Sequence, residues 1–144
     1  MRAPGVALLL AMVGGGCLAF DSGDCERDSD CNGECANTGE CIAEGTSLEV
    51  RIRWTVGGVA PSLDNPAPCG DIDHLEVTFE GDGEDGQTYA PVPCEAGQIT
   101  FTRVPPRFAQ VRVTAIADPD RTIDSASARL EPRGETAVMI DFSP

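Results

Sequence analysis

The chain has 144 residues and carries 24 acidic side chains against 10 basic ones, a formal net charge of −14, and every basic residue is an arginine. So acidic a chain is unsuited to nucleic acid or to an anionic bilayer surface, since both call for clustered positive charge. Its length allows one domain plus appendages.

Residues 1–16 have the anatomy of an export signal. Arg2 gives a charged start, Val6 to Val13 forms a compact apolar run, and Gly14, Gly15 and Gly16 precede Cys17. The run is shorter than the roughly 20 apolar residues a membrane span requires. Val13 to Cys17 resembles the lipobox of bacterial lipoproteins, with Gly14 where an aliphatic residue is usual. The resemblance implies that Cys17 is thioether-linked to diacylglycerol and becomes the new N-terminus, so that the membrane is reached through a lipid. Leu18 stands where an aspartate would resemble an inner-membrane retention signal, which points to the outer membrane of a cell envelope. Acyl chains hold such a domain without basic help; cleavage without lipidation would instead make it a secreted protein. The cysteine count fits the lipid reading, because setting Cys17 aside leaves Cys25, Cys31, Cys35, Cys41, Cys69 and Cys94, an even set suited to three disulfides in an oxidising compartment.

Residues 17–45 form a lipid-anchored, cysteine-rich neck. Cys25, Cys31, Cys35 and Cys41 fall within seventeen residues that lack apolar periodicity, so crosslinks must substitute for a core. The string C-E-R-D-S-D-C-N-G-E-C resembles short cysteine-rich modules of secreted bacterial proteins and extracellular multidomain chains. Four cysteines allow three pairings, of which Cys25 with Cys35 and Cys31 with Cys41 is favoured. Zinc is disfavoured, because only Cys31 and Cys35 have a usual ligand spacing. Asp28, Asp30 and Asn32, followed by Gly33, match the first half of a calcium loop. Gly39 stands where the bidentate Glu should be, and plain turn chemistry is the preferred reading of these residues. No cofactor is expected beyond that candidate calcium.

Residues 46–144 read as an all-β domain. Leu48, Val50, Ile52, Trp54 and Val56 alternate without a miss against charged and polar neighbours, which makes a strand with one buried face. Six further strand candidates follow. They carry Leu75, Val77 and Phe79; Thr88 to Val92, confined to an edge by Pro91 and Pro93; Ile99, Phe101 and Arg103; Ala109, Val111, Val113, Ala115 and Ala117; Ala126, Ala128 and Leu130; and Thr136, Val138, Ile140 and Phe142. Turn residues separate them, as in a seven-stranded Greek-key β-sandwich. A Cys69–Cys94 bridge would pin the proline-containing loop Gly57 to Asp71 across the end of the sandwich, worth about 3 kcal/mol in the chain-entropy model. The span Ile99 to Asp118, with V-P turning into V-R-V-T-A, resembles prealbumin-like and carboxypeptidase-regulatory-like sandwiches. That resemblance implies a spacer, stalk or binding platform on an exported protein; an immunoglobulin-like topology is the alternative. The Lys-to-Asn isopeptide crosslink of some such relatives is excluded, because the chain has no lysine.

Catalytic signals are weak. His74 is the single histidine and lies on the polar side of its strand, so a Ser-His-Asp arrangement would have to recruit isolated residues such as Ser62 and His74. The expected function is therefore a non-catalytic structural or binding module of the envelope, with an unidentified protein or glycan partner engaging the Gly57 to Asp71 or Gly81 to Gly86 loops. A soluble cysteine-rich inhibitor or ligand is the second reading, and a secreted hydrolase the third.

Overall fold

The computed structural model describes residues 25–83 and 86–143; the expected export signal, residues 1–16, and Cys17 lie outside them. The neck begins with a single 3-10 turn, Asp28–Asp30, and pairs two short strands, β1 (Glu34–Cys35) and β2 (Cys41–Ile42), that the polar sequence did not announce. Seven longer strands follow: β3 (Leu48–Val56), β4 (His74–Gly81), β5 (Gln87–Val92), β6 (Gln98–Val104), β7 (Phe108–Ala117), β8 (Arg121–Arg129) and β9 (Gly134–Phe142). They form a three-stranded sheet in the order β6-β3-β9 and a four-stranded sheet in the order β5-β4-β7-β8.

Strand β3 is the centre of its sheet. It runs antiparallel to β6 and parallel to β9 over its whole length, from Leu48 opposite Gly134 to Val56 opposite Phe142. Its five alternating apolar side chains are all buried, as are Val138, Ile140 and Phe142 opposite them on the same face. Leu75, Val77 and Phe79 of β4 and Val111, Val113 and Ala115 of β7 supply the facing layer. Phe79 meets Phe101 edge to face, with ring centroids 5.1 Å apart, so aromatic contacts tie the two sheets together. The chain stays within one sheet at the β4–β5 and β7–β8 hairpins and crosses to the other at every other junction between these seven strands. The first of these strands pairs with β6 and β9 and not with β4, whereas in the A-B-E-D immunoglobulin sheet the first strand pairs with the second.

Two expected inward positions are displaced by bulges. Between β3 and β6, two steps from Leu48 to Val50 face three from Val104 to Phe101. The extra residue lets Val104 take the buried position, while Arg103, at φ 57°, turns outward. Between β4 and β7, Gly81 faces Phe108 and Glu80 faces Gln110, which leaves Ala109 unpaired and exposed and puts Phe108 in the core. Simple alternation fails at both places for the same reason: one inserted residue inverts the parity of what lies beyond it.

Candidate functional site at the loop end of the sandwich

Three groups of residues bear on function, and the fold sorts them to opposite ends. At one end sit the neck, the start of β3, the β4–β5 turn and the β6–β7 corner. At the other sit the ends of β3 and β9, the segment from Gly57 to Asp73 and the β7–β8 turn.

The neck holds its shape through Cys25–Cys35 and Cys31–Cys41, the pairs favoured from the sequence, with Cα separations of 5.8 and 5.5 Å. It is also fastened to the sandwich. Both carboxylate oxygens of Asp28 accept from the Arg103 guanidinium, at 2.5 and 2.9 Å, and the carboxylate of Glu40 takes the Arg107 guanidinium in a second forked contact at 2.9 to 3.1 Å. The Asn37 N–H donates to the Arg103 carbonyl at 2.9 Å. Two planar guanidinium–carboxylate pairs fix direction as well as distance. The Arg103 hydrogen bonds, with the Cys35 N–H, hold the Asp28 carboxyl below the ordinary carboxylate range. The bulge that turns Arg103 outward is thus what creates the fastening, a role hidden in a sequence that placed Arg103 on the core side.

Hydrogen bonds within the chain also engage two of the three calcium candidates. Asp28 is committed to Arg103, Asp30 Oδ2 accepts the N–H groups of Glu26 and Arg27 at 3.1 Å each, and Asn32 is exposed. A cation would have to displace a guanidinium from Asp28. The sulfurs of Cys25, Cys31 and Cys35 lie within 4.8 Å of one another, but each belongs to a disulfide and none is a thiolate ligand.

At the opposite end the loop from Gly57 to Asp73 is braced throughout. Cys69–Cys94 joins it to the turn after β5. Trp54, buried beneath, donates its indole N–H to the Cys94 carbonyl at 2.7 Å. Gly97 lies so close to the loop that a Cβ there would come 2.4 Å from the Pro61 carbonyl oxygen. Asp141 at the end of β9 accepts from the Gly58 N–H at 2.9 Å and from the Thr55 hydroxyl at 2.6 Å, which lowers its pKa. The tip is a small hairpin of its own. Ser62 and Asn65 exchange backbone hydrogen bonds at 3.1 and 3.0 Å, leaving Leu63 and Asp64 as its two turn residues, and Leu63 is 79% exposed.

His74 hydrogen-bonds the carboxylate of Asp73 at 2.8 Å, and the Ser62 hydroxyl accepts from the Asn65 N–H at 3.1 Å, so each is engaged with a near neighbour in sequence. The acidic Gly81 to Gly86 turn, whose Glu84 and Asp85 lie outside the described residues, is at the neck end beside Glu40 and Arg107. Sequence reasoning grouped it with the Gly57 to Asp71 loop as recognition surface; the fold puts the two at opposite ends. No helix among the described residues is long and apolar enough to cross a membrane. Comparison with family models, curated proteins and solved structures finds no significant match.

Proposed function

We propose that this chain is a cell-envelope lipoprotein, carried by Cys17 in the outer membrane, whose prealbumin-like sandwich is a non-catalytic binding module for a protein or glycan. The observation that carries the reading is the fastening of the neck. Seven residues separate Cys17 from Cys25, and at no more than roughly 3.5 Å per residue they hold the neck within about 30 Å of the anchor. The paired contacts Asp28–Arg103 and Glu40–Arg107 keep the neck on one end of the sandwich, which supports that end lying nearer the bilayer than the braced loop. Three disulfides support an oxidising destination. The sheet orders, with β3 between β6 and β9 and not beside β4, support the prealbumin-like rather than the immunoglobulin-like reading. A rigid scaffold presenting one ordered loop is how binding platforms are commonly built.

Metabolic labelling with radioactive palmitate tests the anchor. Label that enters the parent protein and is lost in Cys17→Ser is the expected result; an unlabelled parent would leave the sandwich a secreted module and remove the anchor.

A further inference from the structure

We propose that the Leu63 hairpin is a docking surface for a protein partner that offers an apolar socket set in a basic patch; this rests on the reading of the sandwich as a binding module. Of the three large apolar side chains left exposed among the described residues, Leu63 and Val59, at 79% and 51%, are both in this one loop. The fold gives no reason for a leucine at the tip. Two-residue turns favour Asn, Asp and Gly, whose backbones suit the bend, and the Leu63 side chain buries almost nothing. The tip is nonetheless held in place by the Ser62–Asn65 pairing, Cys69–Cys94 and the close approach of Gly97 to Pro61. An exposed leucine on a pre-ordered mount loses little entropy when it is bound.

Charge selects the occupant. Segment 57–73 carries Asp64, Asp71 and Asp73 and no base; Asp118 and Asp120 lie in the β7–β8 turn near the loop base, and the nearby Arg53 is engaged with Gln98. Arg121 borders the shallow recess at the loop base, together with Pro68, Ile72 and Ile123. An apolar tip with Asp64 beside it, on a loop that carries no base, complements an apolar socket set in a basic patch. A second copy of this chain, itself at −14, is repelled, and so is an anionic lipid surface.

The test uses the full-length chain in its native envelope, with a photo-crosslinking amino acid at position 63 and, in a separate variant, at the exposed Thr100 of β6. The expected result is an adduct from position 63 whose partner peptide is rich in Lys or Arg. Its yield should fall about tenfold or more in Asp64→Lys, a variant whose melting temperature matches the parent's. Three results would overturn the docking surface: an adduct joining two copies of the chain, a partner peptide without basic residues, or a yield indifferent to Asp64→Lys. An adduct from position 100 alone would also overturn it while leaving a binding module intact, and none from either position would remove the module as well.

Discussion

Trp54 shows how one side chain links core to loop. Its ring fills the space beneath the loop and its N–H satisfies the Cys94 carbonyl. Trp54→Phe therefore removes the shorter of the two hydrogen bonds to the Cys94 carbonyl, which keeps the Gly97 N–H at 3.2 Å, and opens a gap beside it; chemical denaturation should show a loss of about 1 to 3 kcal/mol, and an unchanged midpoint would mean that neither the hydrogen bond nor the ring contributes. Tyr89 makes the opposite case. Its hydroxyl is buried without a partner among the described residues, and burial pushes its pKa up. Tyr89→Phe should accordingly hold or raise stability by up to about 1 kcal/mol, and a clear loss would reveal a partner for the hydroxyl. Asp28 governs the acid response of the neck. Its folded pKa is depressed by Arg103 and by the Cys35 N–H, so its contribution is complete above the ordinary carboxylate value and declines as pH falls through that value toward the lower folded one. Amide exchange in residues 25–42 should rise over that acid range while the β3 amides stay protected, and Asp28→Asn should reproduce the rise at neutral pH. Calcium at millimolar concentration should leave the neck resonances in place, because Arg103 already holds the Asp28 oxygens.

Most of the seven long strands were legible because they alternate with one face toward the core, although β8 has only the half-buried Ile123, Ala126 and Ala128 to show and β5 fully buries Val92 alone. Strand β3 shows this most fully, with five apolar residues in step and no exception. The two failures, Arg103 and Ala109, sit where a bulge adds a residue on one strand only; a pattern of period two carries no mark of such an insertion. Nor could alternation show that Arg103 and Arg107 would meet Asp28 and Glu40, since those contacts join segments 75 and 67 residues apart. Strands β1 and β2 were illegible for a different reason: at two residues each they have no period to read. The loop brace is also an element-scale device. Gly97 stands at φ 70° against Pro61, and an added Cβ meets the Pro61 carbonyl oxygen. Gly97→Ala should therefore push the loop off the sandwich, seen as faster exchange of amides 59–65 and a lower melting temperature; unchanged exchange would mean that the loop holds without this close contact.

At the scale of the molecule, residues 25–45 are fastened to the sandwich. The neck's crosslinks set its shape, and its two guanidinium–carboxylate pairs set its attitude on the β6–β7 corner. On the proposed lipid anchor, like-charge repulsion between an acidic domain and anionic lipids would work in the same direction, standing the sandwich off the surface. The two ends of β3, nine residues long, are about 30 Å apart, far enough for energy transfer to tell them apart. The most direct test places the lipidated protein in vesicles that carry an acceptor dye on the lipid headgroup, with a donor introduced as an unnatural amino acid at position 46 or at position 63. Strong transfer from position 46 and weak transfer from position 63 is the expected result, with the contrast shrinking in Asp28→Asn combined with Glu40→Gln. Equal transfer from the two positions in the parent protein would contradict the fastened neck as an orienting contact and, with it, the outward presentation of the loop.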